Sequence, residues 1–250
     1  MPRYFFEIQY DGRSYHGWQS QQNAIGVQQI VEDALSTVLN TPIQIVGSGR
    51  TDTGVHCSQQ FFHADIEKAF DREILVHKLN SFLPKDIAIT TIKPVKPEAH
   101  ARYSARNRAY EYRITKKKNP FLEGHALHYF KPVNIQTMNK AAALLPGAHD
   151  FQCFSKVKTD VNNFLCTVKK AHWVEKGDVL IFHIEANRFL RGMVRAIVGT
   201  LLDVGTGKIS IADFKQIIKS KDRKNAGENV SPAGLFLTRV KYPANIYLKN

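Results

Sequence analysis

What most limits the folds open to this chain is the order in which its apolar periodicity changes. Tyr4, Phe6, Ile8 and Tyr10 alternate with period two up to Asp11-Gly12, the pattern of a half-buried strand closed by a turn. Val27, Ile30, Val31, Leu35, Val38 and Leu39 then recur at helical spacing until Asn40-Thr41-Pro42 stops them. Strand-like stretches follow at 43–46 and 59–64 around a glycine-rich loop, then a helical pattern over 71–82 and an extended segment over 86–95. The same succession starts again with a strand over 107–115, a loop at Lys116-Lys117-Lys118-Asn119-Pro120 and a helix over 134–145. Strands at 164–174 and 179–186, helices at 188–203 and 210–220, and a last strand at 234–240 complete it. Two passes of β-α-β-β-α-β predict an α+β fold of two ferredoxin-like (split βαβ) units with antiparallel sheets. We expect the sheets to join into one continuous sheet with helices on one face. Pro94, Pro97 and the polar residues between them read as the linker, giving an N-terminal unit 1–97 and a C-terminal unit 98–250.

Composition narrows the class. With 250 residues, 43% apolar and 23% charged, the chain is long enough to bury a sizeable core and too apolar for a disordered one. No window approaches 18 consecutive apolar residues, which argues against a membrane span. The N-terminus runs from Met1-Pro2-Arg3-Tyr4 straight into a strand with no apolar signal segment. Cys57, Cys153 and Cys166 form an odd set without a C-x-x-C pair, which suggests neither a disulfide framework nor a zinc site. The expectation is a reduced, cytoplasmic protein.

Charge is unevenly spread. Residues 1–97 carry 9 basic and 10 acidic side chains, whereas residues 98–250 carry 26 and 12. A charge serving solubility alone has no reason to segregate by half. A polyanion partner gives one, because neutralising phosphates releases their condensed counterions.

The least ordinary stretch is Gly47-Ser48-Gly49-Arg50-Thr51-Asp52-Thr53-Gly54-Val55-His56. Its glycines permit backbone angles other residues avoid and let a ligand approach closely. Asp52 sits there with Arg50 and two hydroxyls, and a carboxylate beside a guanidinium is held ionised. An ionised aspartate so placed serves as nucleophile or base toward a sugar or base carbon; the alternative is a loop merely tied by an Arg50–Asp52 bridge. Asp52-Thr53-Gly54 is also the aspartic-protease tripeptide. That chemistry needs a second carboxylate sharing a proton, and the chain has no second copy, while Arg50 opposes such sharing.

Two further stretches combine charge with geometry. On a helix from 188, Arg188, Arg191 and Arg195 would lie within about 60° of one another, opposite Leu190, Val194, Ile197 and Leu201. Three planar guanidiniums in a row suit phosphate or a carboxylate partner. In Arg106-Asn107-Arg108-Ala109-Tyr110-Glu111-Tyr112, alternation puts Tyr110 and Tyr112 on a face with two arginines. Either tyrosine alone reads as an ordinary core residue, but aromatics among cations suit stacking on an unpaired or flipped-out RNA base. Other signals are weak. His125-x-x-His128 could share one helical face but lacks further ligands, Gly205-Thr206-Gly207-Lys208 reads as a turn after a helix, and Cys57 resembles a reactive thiol only by its neighbour His56.

Taken together and in order, these segments resemble the TruA-type tRNA pseudouridine synthases over nearly the whole chain. The likeness runs through Tyr10-Asp11-Gly12, Gly17-Trp18-Gln19, Gly26-Val27-Gln28 and the signature Gly49-Arg50-Thr51-Asp52-Thr53-Gly54-Val55-His56. It continues through Ala101-Arg102-Tyr103-Ser104-Ala105, Arg108-Ala109-Tyr110-Glu111-Tyr112, His149-Asp150-Phe151, 187–195 and Gly234-Leu235-Phe236-Leu237. The resemblance implies an isomerase converting uridine to pseudouridine at positions 38, 39 and 40 of the tRNA anticodon stem-loop. It makes Asp52 the catalytic aspartate, Tyr110 the base-stacking tyrosine, Arg50 the signature arginine, Arg195 the partner of the carboxylate and Leu237 a lining of the uracil pocket. Arg188 and Arg191 are candidate phosphate contacts. The family works without metal or cofactor, as a homodimer with one tRNA across both subunits. Asn229-Val230-Ser231-Pro232 departs from the small-residue run more usual before the last strand. The rival is a non-catalytic module of two RNA-binding sheets, but its aromatic consensus run is absent and it would not need the Asp52 loop.

Overall fold

The structure is a computed structural model that describes residues 1–157, 161 and 163–248. The chain divides into two compact units, Met1–Asn107 with Leu237–Asn250, and Arg108–Phe236, so the chain's end returns to the first unit. Among the described residues ten β-strands and five α-helices make the protein α+β, as the periodicity implied.

The first unit runs β1 (Arg3–Tyr10), α1 (Val27–Leu39), β2 (Val46–Gly47), β3 (His56–Asp65), α2 (Arg72–Phe82) and β4 (Ile87–Val95). β1 lies antiparallel between β4 and β3, and β2 pairs with the C-terminal half of β3, the strand order of a split βαβ unit. Phe6 and Phe62 face each other in register and their rings stack 4.8 Å apart. Phe6, Ile8 and Tyr10 are buried on one face of β1, but Phe5 is buried on the other, where Tyr242 meets it edge-on at 5.0 Å. Tyr242 also packs on Phe61, so the C-terminal segment covers the second face.

α1 buries Val27, Val31, Ala34, Leu35 and Leu39 and ends where Asn40 turns left-handed, two residues before Pro42. α2 begins at Asp71, whose carboxylate caps the Ile74 amide. The strand expected over 43–46 shrinks to Val46–Gly47. The amides of Ile43 and Ile45 are taken by Ser36 Oγ and Glu32 Oε1 of α1, so these residues pack on the helix instead of joining a ladder.

The second unit runs β5 (Asn107–Thr115), β6 (Leu127–His128), α3 (Ile135–Ala142), β7 (Gly147–Asp150), β8 (Leu165–Lys176), β9 (Val179–Ala186), α4 (Met193–Gly205) and α5 (Ile211–Ser220). Its strands follow the order β5-β9-β8-β7, all antiparallel, with β6 parallel to the end of β5. Tyr112, Phe182 and Trp173 line up across three strands and are buried together. A final strand, β10 (Leu235–Lys241), passes from this unit into the first.

Two helical expectations need correction. α4 starts at Met193, not 188, because Gly192 takes a left-handed conformation at φ 73° that a helix cannot contain. Arg188 and Arg191 therefore precede the helix and do not share a helical face with Arg195. The 125–128 segment contains β6 rather than a helix, so His125 and His128 are not neighbours on a helical turn. By contrast 205–208 is the turn the sequence implied, with Gly207 left-handed at φ 76° after the end of α4.

The three cysteines are free and buried, and burial pushes Cys153 up to about 12 and Cys166 up to about 11, which leaves these thiols protonated and inert. Burial raises Cys57 further still. Among the described residues no helix is long and apolar enough to cross a membrane.

Candidate active site

The Asp52 loop belongs to the first unit and leads into β3. It is shaped by the segment after β1, which approaches so closely that only glycine fits. A Cβ on Gly17, which is left-handed at φ 85°, would lie 2.2 Å from the Thr51 carbonyl oxygen. One on Gly12 would lie 2.0 Å from that of Val55. In the room so made, the Trp18 amide donates to Thr51 O (3.3 Å) and the Gly54 amide donates to Tyr15 O (3.2 Å). The Val55 amide closes the turn on Asp52 O at 3.2 Å. Tyr15 is itself fixed, its hydroxyl donating to Asp86 Oδ1 at 2.5 Å.

Beneath the loop, the buried hydroxyl of Tyr10 at the end of β1 meets Thr51 Oγ1 at 2.8 Å and Gln60 Oε1 at 3.4 Å. Asp52, the next residue, is half-buried, and Arg50 is exposed. Thr51 thus turns into the protein while both its neighbours stay accessible. These hydroxyl and backbone bonds tie the loop. The imidazole of His56, at the start of β3, is buried, and its Nδ1 accepts from the Gly12 amide at 3.2 Å. Leu237 is also in this unit, buried in β10, where its carbonyl accepts from Ser58 Oγ at 3.5 Å.

The second unit holds Tyr110, Arg188, Arg191 and Arg195. On β5 the two tyrosines separate. Tyr112 is fully buried, and its hydroxyl donates to Ser231 O at 2.7 Å; burial pushes its phenol far above the usual range, against a smaller opposing pull from Arg195. Tyr110 is only half-buried, and its ring meets Phe189 edge-on at 5.0 Å.

The 187–192 segment is built around Asn187, whose Oδ1 accepts from the amides of Thr167 and Arg188, both at 2.8 Å. Arg108 Nη1 donates to the Asn187 carbonyl at 3.0 Å, tying β5 to this segment. Tyr110 and Arg188 are therefore carried by segments that the Arg108 side chain joins, and Arg191, three residues after Arg188, is exposed. Arg195 is on α4, half-buried, with Nε donating to Val230 O at 2.6 Å.

Tyr10, Gln60, Tyr15 and Asp86 were not singled out from sequence. Tyr10 reads there as one more apolar position of a strand, and no periodicity distinguishes a tyrosine used for its ring from one used for its hydroxyl. The nearest signal was Asp11-Gly12 and Gly17 flanking the segment, glycines that the close backbone approach now explains.

A half-buried aspartate on a hydrogen-bonded loop of a split βαβ unit, in a chain with a strongly basic second half, fits an RNA-directed enzyme better than a binding module. Residues 8–104 and 141–243 match a family model described as tRNA pseudouridine synthase. The chain belongs to that family, isomerases that convert uridine to pseudouridine in tRNA. Asp52 and the three arginines lie inside the matched stretches, and Tyr110 lies in the interval between them. The chain is similar to the tRNA pseudouridine synthase A of Porphyromonas gingivalis, 46% identical over 252 residues that cover 99% of this chain and 100% of the relative. That of Parabacteroides distasonis is 47% identical over 250 residues, covering 99% and 98%. That of a Thermoanaerobacter species is 40% identical over 237 residues, covering 94% and 97%.

Proposed function

We propose that this chain isomerises uridine at positions 38, 39 and 40 of the tRNA anticodon stem-loop, with Asp52 as the nucleophile or base. The observation that carries the reading is the pinned, half-buried Asp52 on a loop whose sequence is the family signature. The reaction breaks the C1′–N1 bond, turns the uracil and forms a C1′–C5 bond. C5 gives up its hydrogen to solvent, N1 gains a proton, and nothing is oxidised or reduced. The bond broken and the bond made belong to one nucleoside, so the reading calls on neither metal nor cofactor.

An ionised carboxylate meets the need by either of two routes. It attacks C1′ and expels the uracil as an anion, or it removes the C2′ ribose proton as the uracil anion departs from C1′, leaving a glycal. Both require a base turned out of the stack. In this reading Tyr110 stacks on the everted base, and Arg195 has the carboxylate-pairing role of its match in the family. Leu237 lines the uracil pocket, and Arg50, Arg188 and Arg191 contact the RNA backbone. The enzyme acts in the cytoplasm as a homodimer, one tRNA lying across both subunits.

The test uses transcripts of one tRNA with 5-³H-uridine placed at a single site. We expect tritium release from labels at 38, 39 and 40 and none from a label in the T-arm. Release from the T-arm label alone would place the activity elsewhere on the tRNA.

A further inference from the structure

We infer that Tyr10, Thr51 and Gln60 are positioning residues for Asp52, a hydroxyl-and-amide clamp that sets the direction of the carboxylate; this rests on Asp52 being the catalytic group. The Tyr10 hydroxyl meets Thr51 Oγ1 at 2.8 Å and donates to Gln60 Oε1 at 3.4 Å. Gln60 then donates through Nε2 to the Gly49 carbonyl at 3.4 Å. The chain of bonds leaves the loop at Thr51 and re-enters it at Gly49, closing a ring under residues 49–51.

All three side chains are buried, so water does not compete for these bonds. The ring acts on the residue beside it. Both peptide planes flanking Asp52 are already hydrogen-bonded, through Thr51 O to the Trp18 amide and through Asp52 O to the Val55 amide. The side chain of Thr51 is a further handle on the backbone preceding Asp52. Because reaction at a ribose carbon depends on near-attack geometry, freeing this handle is felt in the chemical step and not in RNA affinity.

The experiment compares Tyr10→Phe, Thr51→Val, Thr51→Ser and the Tyr10→Phe/Thr51→Val double variant with the parent. It reads single-turnover tritium release, tRNA Kd by filter binding, and Tm. Tyr10→Phe and Thr51→Val should each slow release by about tenfold to a hundredfold, with Kd within about twofold of the parent. Thr51→Ser should restore release, and the double variant should be no slower than the slower single one, as expected for groups acting as a unit. Parental release rates in both single variants would overturn the inference, as would fully additive losses or a loss mirrored in Kd. Asp52→Asn run alongside separates the two levels. If it stays active, the catalytic assignment of Asp52 fails; if it is inactive while Tyr10→Phe turns over normally, only the clamp fails.

Discussion

The Asp52 loop is shaped by its neighbours' backbone. Gly17 occupies a left-handed angle and leaves 2.2 Å between a hypothetical Cβ and Thr51 O, so Gly17→Ala must push the loop that carries the carboxylate. Overpacking of this kind costs about 1–3 kcal/mol, and we expect Gly17→Ala to lower Tm and to cut tritium release further than that loss of folded protein explains. Parental activity in the folded variant would show that the loop tolerates displacement.

His63 gives a second test at this scale. Its ring is buried and its Nδ1 accepts from the Ala101 amide at 3.1 Å, a bond only the neutral ring makes. Burial first, then the charge of Arg3 and the neighbouring His100, lowers it to about 4, against a small opposing pull from Asp65. The unfolded chain takes up this proton near the ordinary value of about 6.5. The contribution is therefore complete above that pH and is lost as pH falls from there toward 4, up to about 3 kcal/mol. NMR should find the His63 ring neutral at pH 5.5; a ring titrating near 6.5 would contradict the packing described.

Elements were legible in sequence where one period dominates. α1 at 27–39 falls where the spacing put it because it has an uninterrupted apolar face and a clear stop, and β5 at 107–115 because its alternation runs unbroken to the Lys116-Lys117-Lys118-Asn119-Pro120 loop. Elements governed by a single residue's angle or by a long-range bond were not legible. The start of α4 depends on Gly192 and the loss of a strand at 43–45 on two side chains of α1. β7 is four polar or small residues whose pairing with β8 leaves no periodic trace.

α4 also shows an approach of backbone that spacing cannot reveal. It is buried nearly all round, and the 227–230 segment lies against it so closely that a Cβ on Gly199 would sit 1.9 Å from Glu228 O. The Gly227 amide donates to Thr200 Oγ1 at 2.9 Å, and Val230 O holds Arg195. Gly199→Ala should therefore destabilise by about 1–3 kcal/mol, read as a lower urea midpoint with an unchanged m-value. An unchanged midpoint would mean that this segment moves aside freely.

For the whole molecule, the asymmetry of charge and the ordered motifs carried the reading furthest. A chain with 26 basic and 12 acidic side chains in residues 98–250 is built to meet a polyanion, and its family acts on one. The sequence nominated Asp52 because a carboxylate framed by glycines is chemically unusual wherever it occurs. It did not reveal how the loop is held, since Tyr10, Thr51 and Gln60 come together only through the pairing of β1 with β3. Of the arginines, Arg188 and Arg191 belong to a loop organised by Asn187, not to a helix face, yet they remain the accessible cations of that segment. Replacing both with Gln should weaken tRNA binding and reduce the slope of log Kd against log salt by about 0.7–0.9 for each phosphate no longer neutralised. An unchanged slope would remove them from the RNA interface.

The central claim is that one carboxylate performs the isomerisation. Asp52→Asn keeps the shape of that side chain and removes its charge and nucleophilicity. With 5-³H-uridine-labelled tRNA in single-turnover conditions, the purified variant should bind tRNA about as tightly as the parent and release no tritium above background. Release at a rate comparable to the parent's would contradict the account.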